Sequence, residues 1–160
     1  MWAYDGSTWT QVISGGGAPA YIDCMVVHGG LLFAGGDGEV WAFDGVSWVQ
    51  VNEDGFGDPD YYGPFSMVAY NDTLYAGGGV RDRGATVWAY RGGAWAQVND
   101  YGFGDLSNAW ATTMAVFDGS LYVGTYHWLN GTEIWSTALT SASFRSWLPM
   151  VIRQFIEMLP

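Results

Sequence analysis

The chain repeats itself, and that limits what it can fold into more than any other feature. The phrase WAYDGSTWTQV at 2–12 returns as WAFDGVSWVQV at 41–51 and as WAYRGGAWAQV at 88–98. Each copy sets two tryptophans seven residues apart, and the copies begin 39 and then 47 residues apart. A fourth copy begins at Trp135, another 47 residues on, and then departs from the pattern. A second phrase lies between the copies: LLFAGG at 31–36, TLYAGG at 73–78 and SLYVGT at 120–125. Met25, Met67 and Met114 precede it at one relative position. Three phrases recurring in step mark a repeat architecture, whose units bury their apolar faces on their neighbours.

Each unit resolves into two hairpins. Short apolar runs flank His28-Gly29-Gly30, Asn71-Asp72 and Asp118-Gly119, and a second pair of runs flanks Asp44-Gly45 and Gly92-Gly93. These are tight-turn residues, and the β-branched and aromatic runs beside them read as strands. Four strands in about 40–50 residues is the pattern of a β-propeller blade. A flat sandwich would account for the strands but not for the fixed period. The diglycine, aromatic and tryptophan series Gly35-Gly36, Phe43, Trp48 resembles the kelch motif, as does Gly77-Gly78, Tyr90, Trp95. The third unit has Gly124-Thr125 at the diglycine position. The resemblance implies propeller blades of four antiparallel strands. It implies no activity, because propellers host enzymes, lectins and scaffolds alike.

The repeat region is expected over 1–138, with a half-blade at 1–13, blades at 24–52 and 66–98, and a partial blade at 112–136. That makes thirteen strands, one more than three blades, and an incomplete ring in one chain. Open sheet edges invite pairing, so oligomerisation is expected. A dimer would close six blades by exchanging hairpins. A nine-bladed trimer and a fragment of a longer propeller are the alternatives. The tail at 139–160 fits neither phrase and reads as a short C-terminal helix after Pro149, with Val151, Ile152, Phe155 and Ile156 on its apolar face.

Composition removes several function classes. Sixteen acids against five arginines give a net charge of −11, which argues against nucleic acid and anionic membrane surfaces as partners. Cys24 is the sole cysteine, so neither an intrachain disulfide nor a CxxC metal site can form. No apolar run is long enough to span a bilayer. With no basic-then-apolar leader, the chain as written is expected in the cytoplasm, and a fragment of a secreted protein would be extracellular.

The turns between first and second, and between third and fourth, strands are short and share one end of the repeat. Nearly everything irregular lies at the other end: the crossings 52–65 and 99–111, and the loops around Arg81 and His127. Long loops on a rigid scaffold commonly carry function. Tyr61, Tyr62, Trp110 and Trp128 are aromatics outside the repeat there, beside His127 and Asn130. Rings to stack on and amide or carboxylate groups to bond hydroxyls suit a glycan or another small ligand. The repeating tryptophans read as core. Asn52, Asp54 and Asp58 resemble the second half of a propeller calcium loop, making calcium a candidate ion and otherwise no cofactor. A turn-forming role for the Gly-Phe-Gly pieces at 55–57 and 102–104 is the rival reading. No motif orders a nucleophile with a base, so a non-enzymatic binding protein is expected. A protein-interaction scaffold is one alternative, and a hydrolase or lyase using Asp58 and Asp60 is another.

Overall fold

The computed structural model describes residues 1–12, 19–129 and 131–137, together with the backbone of 147–150. The chain is all-β: among these residues the regular elements are strands and two short 3-10 turns. A hairpin, β1 (Trp2–Tyr4) and β2 (Trp9–Gln11), comes first. The first four-stranded sheet is β3 (Cys24–His28), β4 (Leu31–Gly36), β5 (Glu39–Phe43) and β6 (Trp48–Gln50). The second is β7 (Tyr61–Tyr70), β8 (Thr73–Val80), β9 (Gly84–Arg91) and β10 (Ala94–Gln97). The third is β11 (Asn108–Phe117), β12 (Ser120–His127), β13 (Glu133–Thr137) and β14 (Trp147–Met150). Each sheet is an antiparallel meander in chain order.

Local chemistry accounts for the hairpins. Residue pairs with positive φ, Gly29-Gly30, Asn71-Asp72 and Asp118-Gly119, close the first turns. Such turns match the twist of paired strands. In the later turns, Asp5 Oδ1 accepts from the Ser7 and Thr8 amides, and Asp44 Oδ1 does the same from Val46 and Ser47.

The third sheet corrects the strand count. Its fourth strand, β14, comes from the tail, so the described residues form fourteen strands and the place expected for an exchanged hairpin is occupied. Trp147 pairs with Thr137 in the register by which Trp48 pairs with Phe43 and Trp95 with Tyr90. The earlier copies separate these partners by five positions and the last by ten, which hid the match in the sequence. Pro149 is accommodated because β14 is an edge strand. The helix expected over residues 151–160 lies outside the described residues.

The sheets stack face to face, with β7 beside β3 on one side and β11 on the other. Phe33, Val40 and Ala42 of the first sheet meet Met67, Leu74 and Ala76 of the second. Tyr75, Ala85 and Val87 of the second meet Leu121, Val123 and Trp135 of the third. The glycines of β8 permit the close approach. A Cβ at Gly79 would stand 2.2 Å from the Ala109 carbonyl oxygen, and one at Gly77 would stand 3.0 Å from that of Ala111.

Asparagines fasten each crossing to its sheet. Asn52 Oδ1 accepts from the Val40 amide at 2.6 Å, and its Nδ2 donates to the Gly38 and Glu53 carbonyls. Asn99 repeats the arrangement on Val87, Ala85 and Asp100. Val87 is fully buried, so removing its acceptor strands a donor. Asn99→Ala is therefore expected to cost about 2 kcal/mol, read as a lower urea midpoint.

Candidate functional site

The two crossings are alike in structure. Each contains a 3-10 turn, Asp54–Gly57 and Tyr101–Gly104, in which glycine and phenylalanine both take positive φ. This backbone throws the phenylalanine inward. Phe56 stacks on Trp88 at 4.6 Å and Phe103 on Trp135 at 4.8 Å between ring centres. The outer part of each crossing is pinned to the loop after the second strand. The Arg81 amide donates to the Asp60 carbonyl at 2.9 Å, and the Trp128 amide donates to that of Ser107 at 3.0 Å.

Between the second and third sheets these loops enclose a groove of about 640 Å³, with Tyr62, Arg81, Asp82, Leu106, Trp110 and Trp128 among its lining residues. Trp110 stacks on Tyr126 at 5.6 Å, and Trp128 meets both rings edge-on at 5.2 Å. Trp128 keeps 58% of its surface exposed, which leaves a ring face for a ligand. Arg81 donates to the Tyr62 hydroxyl and lies over the Tyr62 ring. That hydrogen bond, then the nearby Asp60 and Asp82 charges, raise the arginine's pKa further and keep it protonated. A wider depression of about 1070 Å³ adjoins at the first and second sheets, with Tyr62 on its wall too. Asp23, Asp37, Glu53, Asp54 and Asp58 make that one acidic.

The expected site residues divide. Tyr62, Trp110 and Trp128 converge on the groove. Tyr61 is not available: it is buried against Phe56, and its hydroxyl sits where a Cβ on Gly78 would be. Burial, then the Cys24 charge, push the Tyr61 phenol well above its ordinary pKa. His127 is also buried, with Nδ1 accepting from the Leu129 amide at 3.1 Å and Nε2 3.4 Å from Asp105. It braces the loop and does not face the groove lining. Asn130 lies outside the described residues. Tyr126 was missed as a site residue, although it too is an aromatic outside the repeat.

The three residues of the calcium reading are each engaged in hydrogen bonds or ion pairs within the chain. Asn52 spends its amide on backbone groups, Asp54 accepts from Gln50, and Asp58 pairs with Arg83 while accepting from the Asp60 amide. Among the described residues no three His, Cys, Asp or Glu side chains are grouped to hold a metal ion. Cys24 is also quiet, since burial, then the Asp23 charge, push its thiol up to about 12.

Tyr61 carries a buried hydroxyl with no hydrogen-bond partner among the described residues. Tyr61→Phe is therefore expected to leave the urea midpoint unchanged or raise stability by up to about 1 kcal/mol. Asp105 gives a pH expectation. The Ser107 amide, the Ser107 hydroxyl and His127 hold its carboxyl below the ordinary value of 3.8. A depressed carboxylate favours the folded state above that value, and the benefit is lost as pH falls through the lowered one. Urea midpoints should thus fall below about pH 4, less steeply in Asp105→Ala than in the parent. Compared with protein-family models and with curated proteins, the chain matches none.

Proposed function

We propose that this chain is a kelch-like β-propeller repeat protein that binds a neutral glycan in the groove between its second and third sheets. Its function in this reading is binding, with no reaction carried out, and a second copy completes its ring. Three features support the scaffold: four-stranded meanders, first strands side by side, and faces stacked in series. The irregular loops gather at one end of that stack.

The observation that carries the ligand reading is the cluster Trp110, Tyr126 and Trp128. Counting back the 47-residue period, the second sheet has Gly79 and Arg81 where the third has Tyr126 and Trp128. The strand opposite Gly79 carries Tyr62 as the strand opposite Tyr126 carries Trp110, so two of the three rings are additions that the repeat does not require. Sugars offer apolar C–H faces that stack on such rings, and hydroxyls that need fixed donors and acceptors. Arg81, Asp82 and Ser107 supply these along the groove. A net charge of −11 and the acidic neighbouring depression favour an uncharged ligand.

Trp128→Ala is expected to weaken binding of the best neutral oligosaccharide by about tenfold, near 1.4 kcal/mol. Titration calorimetry reads the affinity and thermal melting checks that the fold is unchanged. Trp128→Phe should keep most of the affinity. Sugar binding indifferent to Trp128→Ala, or no binding across a neutral panel, would overturn the ligand reading.

A further inference from the structure

We infer that the outward face of the first sheet is a docking surface for the outward face of the third sheet in a second copy of this chain. The contact is head-to-tail and repeats the interfaces already inside the molecule. On the second sheet, Met67, Leu74 and Trp95 pack toward the first sheet. Their counterparts on the first sheet are Met25, Leu32 and Trp48. Among the described residues no four-stranded sheet packs on that face, and Met25 is 51% exposed with Val27 at 67%. On its other face the second sheet sets Val68, Tyr70 and Tyr75 against the third. The counterparts there are Ala115, Phe117 and Tyr122, and Phe117 is 71% exposed. Both open faces are apolar and uncharged at these positions, in a chain rich in acids.

A hydrogen bond marks the same vacancy. Trp95 Nε1 donates to the Val51 carbonyl, at the end of the preceding sheet, at 2.9 Å. Trp48 stands at the same register position one unit earlier, and its Nε1 is shielded from solvent with no acceptor among the described residues. Val51 follows Trp48 by three residues, and Met150 follows Trp147 by three. The backbone carbonyl of Met150 in a second copy is thus the repeat equivalent of the missing acceptor. The hairpin β1–β2 of the same chain does not cover this face, because all six of its residues are exposed.

Two surfaces that differ and complement each other make a heterologous contact, which either closes or propagates. Two chains bring six four-stranded sheets, so the inference rests on the propeller reading for closure and is independent of the glycan reading. Self-repulsion between chains of charge −11 opposes it, and salt relieves that.

The test is light scattering on a sizing column, run with the full chain, Val27→Glu, Phe117→Glu and an equimolar mixture of the two variants. The full chain should run at about 35 kDa, twice the 17.5 kDa protomer, and hold together better at 0.5 M than at 0.05 M salt. Each variant should dissociate, with a Kd raised by about a hundredfold. Both positions are exposed, and an unchanged melting transition shows that the variants are folded. The mixture retains one intact contact and should recover a heterodimer. A monomeric parent, or a Phe117→Glu variant that stays dimeric while Val27→Glu does not, would overturn the contact. A monomer with one cooperative melt would leave the three-sheet stack standing, so the two readings fail separately.

Discussion

The stack of Phe56 on Trp88, repeated as Phe103 on Trp135, is the interaction on which the spacing of the sheets depends. A four-stranded meander cannot fix its own distance from the next one; something from the crossing must fill the seam. Here the crossing places a phenylalanine there by putting it in the left-handed region, at φ of 54° and 57°. That conformation costs roughly 1–2 kcal/mol for a residue with a Cβ. Burying the ring returns about 1.5–3 kcal/mol, and aromatic stacking adds about 0.5–1.5 kcal/mol. The balance favours the inserted ring, and glycines on both sides let the backbone turn sharply enough to deliver it.

The placement of that ring carries through to the groove. With Phe103 seated, Asp100 to Asn108 can follow only a narrow path. The Asn108 side chain bonds the Gly102 carbonyl and the Glu133 carboxylate, and the Thr125 hydroxyl donates to it at 2.6 Å. Thr125 stands where the earlier units have glycine, so the departure from the diglycine pattern supplies a buried bond at the base of the loop. Trp110 and Trp128 then emerge from two segments already joined by the bond between the Trp128 amide and the Ser107 carbonyl. A site held this way needs little ordering when a ligand arrives, which conserves affinity.

What the sequence made legible followed from the repeat, and what it hid lay where the repeat was broken or only half used. Strands, turns and the four-strand unit could be read from phrases that recur. Taken with its neighbours alone, Asn52 reads as a metal ligand. Comparison with Asn99, where the next loop lacks the matching acids, points instead to a shared structural role. The strand at Trp147–Met150 was hidden by its distance from Thr137, although the tryptophan itself was visible. Tyr61 and Tyr62 are adjacent in a strand, so their side chains point opposite ways. One had to be inside, and the pattern of rings alone does not say which.

A repeat array that ends in solution usually covers its terminal faces with polar residues, because an unmodified interior face is an adhesive surface. Among the described residues, the outward faces of the first and third sheets are not altered in that way. Met25 stands where Met67 and Met114 are used for packing, and Phe117 stands where Tyr70 reaches the next sheet to bond the Gly119 carbonyl at 2.6 Å. The acids lie instead at the crossings and turns, as at Asp23, Asp37, Glu53, Asp54 and Asp58. Charge at the crossings and turns, and its absence from the faces, are two halves of one arrangement. In the proposed reading, the faces meet other sheets of the same kind, while the acids around them disfavour other acidic surfaces and leave the aromatic groove to an uncharged ligand.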